Sequence, residues 1–285
     1  MNREESQAPS PIIAMYQALR ARQPKWDVEI GEPCGPGWIP GTALMTATEG
    51  PFQALLTRIG ERLHTSDRRT IAASFALRYG WSSGLAFAPY LLYACVPTIA
   101  LDNVSFKFNE HGSFERAALH HPAGVMFPHD GVAPHPSVGR LSSPQALLAC
   151  LRTGLVQQAQ PVVGALYVWS HFSVRGIWGM VTSAWGSLCI HIFGEIGEQT
   201  QGLSWLRHFF AGHDVVAEMQ PQFYPVAYQH VTHVYHRGAS CCRYYLLRQG
   251  HYCASCPLIP QEERLQRQRA WMKHLIETQV TSTRG

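Results

Sequence analysis

The run Val104-Ser105-Phe106-Lys107-Phe108-Asn109-Glu110-His111-Gly112-Ser113-Phe114 alternates large apolar side chains with Ser and Lys, then breaks at a Gly-containing tetrapeptide. A period of two puts successive side chains on opposite faces of a strand, and such a break turns the chain back on itself. A β-hairpin is therefore expected near residues 100–120. On both sides of it the period changes. Leu55, Leu56, Ile59 and Leu63 recur at helical spacing, residues 69–79 do the same, and residues 11–22 have helix composition with Pro11 in the first turn. Beyond the hairpin, residues 144–212 read as helices broken near 170–173 and 194–202. Residues 260–277 set Leu265, Met272, Leu275 and Ile276 on one face behind an acidic first turn. Residues 31–50, dense in Gly and Pro, read as a loop, and residues 120–136 as irregular. Short extended pieces are expected at 223–228, 231–236 and 243–247. The class is α+β, mainly helical, with a β-hairpin near 100–120 and short strands near 222–247 before a cysteine cluster. Two regions, 1–135 and 136–285, or one continuous domain, fit this order.

Composition narrows the functional classes. The 285 residues carry 23 Lys and Arg against 19 Asp and Glu, with 15% charged and 46% hydrophobic residues, which excludes a disordered chain or a charged coiled coil. A chain of this length buries roughly three quarters of its unfolded surface and needs no disulfide staple. No Lys/Arg run exceeds the pair Arg68-Arg69, so no nucleic-acid partner is expected. Residues 85–101 are interrupted by Pro89 and Pro97, and residues 162–193 carry His171 and Arg175. Both read as buried elements, with no stable membrane insertion. The apolar stretch 12–16 is too short for a secretion signal, so a cytoplasmic location is expected, where 8 Cys stay reduced.

Several motifs fail on context. Gly80-Trp81-Ser82-Ser83-Gly84 matches the nucleophile-elbow pattern, but a helix-like segment precedes it where a strand is required. No dinucleotide or Walker loop appears. His120, His121, His129, Asp130 and His135 crowd one loop and offer metal donors, although such loop histidines read better as surface. Trp178 and Trp185 share a helix face, either as core or as an aromatic wall for a bulky ligand. Arg175 sits in an apolar neighbourhood and is expected to need a partner such as Glu195 or an oxygen-rich ligand.

The informative segment is Ser240-Cys241-Cys242-Arg243-Tyr244-Tyr245-Leu246-Leu247-Arg248-Gln249-Gly250-His251-Tyr252-Cys253-Ala254-Ser255-Cys256-Pro257, a Cys-Cys-x10-Cys-x2-Cys pattern. Four thiolates satisfy one tetrahedral zinc or one [2Fe-2S] cluster. Vicinal cysteines chelate a single small ion awkwardly, whereas a cluster spreads its ligands over two irons. The simplest partition puts Cys253 and Cys256 on one iron and Cys241 and Cys242 on the other. Cys34, Cys95, Cys150 and Cys189 are isolated and read as inert thiols.

This pattern, running on through Tyr252-Cys253-Ala254-Ser255-Cys256-Pro257-Leu258, resembles the C-terminal signature of the ferric siderophore reductases typified by FhuF. The resemblance implies that Cys241, Cys242, Cys253 and Cys256 bind a [2Fe-2S] cluster and that the substrate is a ferric siderophore. One-electron reduction to Fe(II) would release its iron. Arg243, Arg248 and His251 flank the ligands and are candidates for tuning the cluster. Arg175, Trp178, Trp185 and Arg78 are candidates for binding substrate. The chain lacks a pyridine-nucleotide or flavin motif, so electrons must come from an external donor, a ferredoxin or an NAD(P)H-dependent reductase. Two other readings stay open: a zinc-stabilised siderophore-binding protein without redox activity, and an iron–sulfur redox sensor.

Overall fold

The computed structural model describes residues 10–26, 28–127 and 134–282. The chain forms two compact units, one of residues 1–58 and 82–165, the other of residues 59–81 and 166–285. In chain order the elements are α1 (Pro11–Arg22), β1 (Val28–Ile30), β2 (Trp38–Pro40), α2 (Gly50–Leu63), α3 (Arg68–Ser83) and α4 (Phe87–Tyr93). Then come β3 (Cys95–Pro97), β4 (Val104–Phe108), β5 (Phe114–Leu119), β6 (Gly124–Met126) and β7 (Val138–Arg140). The last elements are α5 (Pro144–Ser170), α6 (Val174–Glu195), α7 (Gln199–Phe209), α8 (Val215–Glu218), β8 (Gln222–Tyr228), β9 (Val231–Arg237) and α9 (Gln261–Ser282). The mainly helical α+β class is thus the observed one.

In the first unit the expected hairpin is β4 and β5, antiparallel with Phe106 opposite Ala117. It is the centre of a four-stranded sheet ordered β1-β5-β4-β2. Val104, Phe106 and Phe108 are all at most 2% exposed, so the apolar face of the alternation is the core face. Asn103 closes the connection before β4: its side chain donates to the carbonyls of Thr98 (2.7 Å) and His121 (3.0 Å) and accepts from the His121 amide (2.8 Å). The segment expected to be a loop at 31–50 supplies the edge strand β2 and a 3-10 turn at Gly41–Met45. Gly37 makes that edge possible. Its φ is +86°, and a Cβ there would stand 2.7 Å from the Phe108 carbonyl oxygen. Likewise, part of the expected irregular segment is strand β6, which joins β3 and β7 in a three-stranded sheet.

The second unit is built on α6. Ser173 caps it by accepting from the Gly176 amide at 3.0 Å, and most of the helix from Gly176 to Phe193 is buried. Among the described residues α6 is the one helix long and apolar enough to cross a membrane, and 83% of its apolar window is buried inside the protein. Trp178 and Trp185 meet edge to face at 6.3 Å, and an aromatic ladder of Trp205, Phe209, Phe210 and Phe223 ties α7 to β8. Two of the expected extended pieces, β8 and β9, pair as an antiparallel hairpin, Tyr224 opposite Tyr235. The piece expected to be extended at 243–247 is instead a 3-10 turn, Tyr244–Leu246, entered through Arg243 in the left-handed region. The nucleophile-elbow pattern lies in a helix, since α3 runs through Ser83.

Candidate metal centre

The cysteine segment starts where β9 ends and is fastened at four points. A stripe of small residues on α6 comes first. Gly179 approaches so closely that a Cβ on it would lie 2.6 Å from the Ser240 Cβ, and the Ser183 hydroxyl accepts from the Ala239 amide at 2.9 Å. Second, the two ends of the segment bond each other through the Gly238 amide and the Ser255 carbonyl, 2.8 Å. Third, α9 reaches back over the C-terminal cysteines. Arg264, 4% exposed, donates to the carbonyls of Cys256 (3.1 Å) and Ile259 (3.0 Å) and to the Tyr224 hydroxyl (3.0 Å). Gln268 donates to the Ala254 carbonyl at 3.1 Å. Fourth, Arg243 bonds the start of α3: its Nη2 donates to Asp67 Oδ2 (2.9 Å) and its Nε to Thr70 Oγ1 (3.2 Å).

Inside this frame the chain folds back sharply. A Cβ on Gly250 would lie 1.9 Å from the Tyr244 carbonyl oxygen, so only glycine lets the two limbs close. Tyr245 stacks on Tyr252 across the same fold, ring centroids 4.9 Å apart. The ten residues between the cysteine pairs thereby bring the four cysteines within interaction range of one another. Cys242 hydrogen-bonds Cys253, and Cys241 hydrogen-bonds Cys256. Each contact joins one sulfur from each end of the loop. Among the described residues no three His, Cys, Asp or Glu side chains converge as ligands of one ion.

Backbone amides point at three of the sulfurs. The Arg243 amide donates to Cys241 Sγ at 3.3 Å, that of Tyr244 to Cys242, and that of Ser255 to Cys253, whose sulfur also has the Ser255 hydroxyl at 3.7 Å. Such donors favour negatively charged sulfur. The hydrogen bond from Cys253 lowers the Cys242 thiol to about 7, even though burial opposes it, and the same bond, with burial, raises Cys253. Burial raises Cys241, with its neighbours Cys256 and Cys253 adding to the rise. A donor set of four thiols in two pairs, ringed by amide N–H groups, fits a [2Fe-2S] cluster.

The other expected site residues are scattered. Arg248 and His251 are exposed on the loop, the His251 ring edge-on to Tyr244 at 5.3 Å. Trp178 and Trp185 are 4% and 0% exposed and offer no open face to a ligand. Arg175 is not in an apolar pocket as expected but exposed on the first turn of α6, because helix periodicity turns it outward; Glu195 lies beside His191 instead, at 3.7 Å. Arg78 is partly buried on α3, donating to the Ser74 carbonyl at 3.2 Å and to the Ser74 hydroxyl. Burial, then the charge of Arg62, lowers it to about 10. In the histidine-rich loop, His120 bonds Ser105 and His135 bonds Ser137, while His129 and Asp130 lie outside the described residues. A cavity of about 690 Å³ in the first unit, lined in part by Val96, Ile99, Leu101, Thr153 and Gln157, includes none of the expected site residues. Sequence reading missed Asp67, Thr70, Gly179, Ser183, Arg264 and Gln268. The small-residue spacing Gly176, Gly179, Ser183, Gly186 was the available signal for the α6 contact.

Comparison with known proteins agrees with this geometry. Residues 239–258 match the family model described as the FhuF 2Fe-2S C-terminal domain. No curated protein matches the chain. The matched segment contains all four cysteines, and its cofactor is a [2Fe-2S] cluster.

Proposed function

We propose that the protein is a ferric siderophore reductase that passes one electron to siderophore-bound Fe(III), so that Fe(II) leaves its hard oxygen donors. The observation that carries this reading is the pairing of Cys242 with Cys253 and Cys241 with Cys256 inside the segment that matches the FhuF 2Fe-2S C-terminal domain. When bound, a [2Fe-2S] cluster takes up and gives out one electron at a time. The four cysteines hold it, and the amides of Arg243, Tyr244 and Ser255 stabilise the charge on their sulfurs. Tyr244, Leu246, Tyr252 and Leu258 are 38–54% exposed on the same segment and give reactants a partly apolar surface beside the ligands. Arg175 lies one helical turn before Gly179, on the face of α6 that seats the cysteine segment, and is the cation we assign to substrate oxygen.

The electron comes from an external protein donor, a ferredoxin or an NAD(P)H-dependent reductase, and the place of action is the cytoplasm. The eight free cysteines accord with a reducing compartment.

The test is anaerobic purification with iron, sulfide and zinc analysis, electron paramagnetic resonance before and after dithionite, and turnover of a ferric siderophore with a ferrous-specific chelator present. Two irons, two sulfides, a one-electron signal and siderophore-dependent Fe(II) release are expected. Stoichiometric zinc without iron would leave a metal-stapled binding protein. A cluster that titrates but turns over no ferric chelate would leave a redox sensor.

A further inference from the structure

Arg243 follows the vicinal cysteines with φ +60° and ψ 6°, a conformation that L-residues other than Gly, Asn and Asp adopt at a cost. That conformation directs its amide to Cys241 Sγ at 3.3 Å. Something outside the loop must hold it. The guanidinium is gripped at two places, by Asp67 Oδ2 at 2.9 Å and Thr70 Oγ1 at 3.2 Å, and the grip is itself fixed. Asp67 accepts from the Thr70 hydroxyl at 2.5 Å and, through Oδ1, from the Arg69 amide at 3.2 Å, while Thr70 is 2% exposed. The anchor is thus part of the first turn of α3, at the end of the element opposite to where Arg78 lies.

We propose that Asp67, with Thr70, is a positioning residue for the cluster: it locks the Arg243 side chain so that the Arg243 amide stays on the Cys241 sulfur and raises the reduction potential. The proposal rests on the reading that the four cysteines hold a [2Fe-2S] cluster, not on the identity of the substrate. A hydrogen bond to a ligating sulfur favours the reduced, more negative state. The consequence runs against simple electrostatics. Asp67 is an anion near the centre, so its charge alone would lower the potential, and removing it would raise the potential. If its part is to position the amide, removing it lowers the potential.

Asp67→Ser is the discriminating variant, because Ser keeps the helix cap but is too short to reach Arg243. Arg243→Lys is the second, keeping the positive charge while losing the fork that spans Asp67 and Thr70. Both are purified anaerobically with their cluster and titrated by protein-film voltammetry, with electron paramagnetic resonance of the reduced state. Both midpoints are expected to fall, by up to about tenfold in the reduction equilibrium or ~59 mV for one electron, with altered g-values. A rise in Asp67→Ser together with a wild-type midpoint in Arg243→Lys would overturn the proposal and leave Asp67 as a point charge. Unchanged midpoints and g-values in both would reduce it to a helix cap. A wild-type protein that binds no cluster would instead sink the metal-centre reading itself.

Discussion

Gly179 of α6 and Ser240 of the cysteine segment stand so close that a Cβ on the glycine would meet the Ser240 Cβ at 2.6 Å and its amide nitrogen at 3.1 Å. The Ser240 Cβ is fixed by its own backbone, and the next atoms met, the Ser240 amide nitrogen and the Ala239 carbonyl carbon, are main chain, so no flexible side-chain end can swing away to make room. It places Cys241, the next residue, one step from the surface of the most buried helix of its unit. The position is therefore expected to set how firmly the cluster loop is held.

Gly179→Ala tests this against helix propensity. Alanine in a helix interior should stabilise by up to ~1 kcal/mol over glycine, yet overpacking against a fixed backbone costs ~1–3 kcal/mol. The overpacking term is expected to win. Thermal unfolding should show a lower Tm, and cluster absorbance should bleach faster in air than in the wild type. A raised Tm with an unchanged bleaching rate would show that the loop yields freely.

The cysteines divide by role. Each of Cys241→Ser, Cys242→Ser, Cys253→Ser and Cys256→Ser is expected to lose most of the bound iron and the signal of the reduced state. Cys34→Ser, at an exposed thiol outside the segment, should keep both. Iron and sulfide analysis of the five purified variants checks the division, and full iron content in any of the first four would remove that residue from the ligand set.

What could be read from the sequence depended on how local its cause was. The β4–β5 hairpin, α2, α3 and α9 carry their periodicity within themselves. β1, β2, β3, β6 and β7 are three residues each, too short for any period to register, and exist through partners far along the chain. The four cysteines were legible because their spacing alone is a ligand pattern. Asp67 was not: it lies 176 residues from Arg243, and nothing in the first turn of a helix announces such a partner. Arg243 to Leu247 reads as extended in the sequence, but Gly250 packed on the Tyr244 carbonyl accompanies a 3-10 turn there.

His236 gives the fold a pH dependence. Its ring packs against Phe223 with centroids 6.3 Å apart and has the Ser187 hydroxyl at 3.4 Å. Burial lowers it to about 4, from an ordinary 6.5. The unfolded chain therefore binds a proton between those values that the folded chain refuses, so stability is complete above about 6.5 and falls toward pH 4. One such group gives a slope of up to ~1.4 kcal/mol per pH unit. Tm measured at pH 7.5 and 5.5 should drop on acidification, and the drop should shrink in His236→Gln. An equal drop in that variant would assign the dependence elsewhere.

Arg264 presents the last case, a guanidinium that is 4% exposed and donates only to neutral acceptors, the carbonyls of Cys256 and Ile259 and the Tyr224 hydroxyl. A buried cation without a counter-charge is strongly unfavourable, and among the described residues no carboxylate pairs with it. It donates to the Cys256 carbonyl, beside the sulfurs of the cysteine segment, where a bound [2Fe-2S] cluster would supply a counter-charge. Arg264→Met is then expected to lower the cluster midpoint, because a nearby cation favours the more negative reduced state. It should also lower Tm, since two carbonyls and a hydroxyl lose their donor. Arg264→Lys retains the charge but not the fork, so its midpoint should stay nearer the wild type while Tm still falls. Voltammetry on the two variants separates the contributions: equal midpoints in Met and Lys would confine Arg264 to bracing the backbone around Cys256.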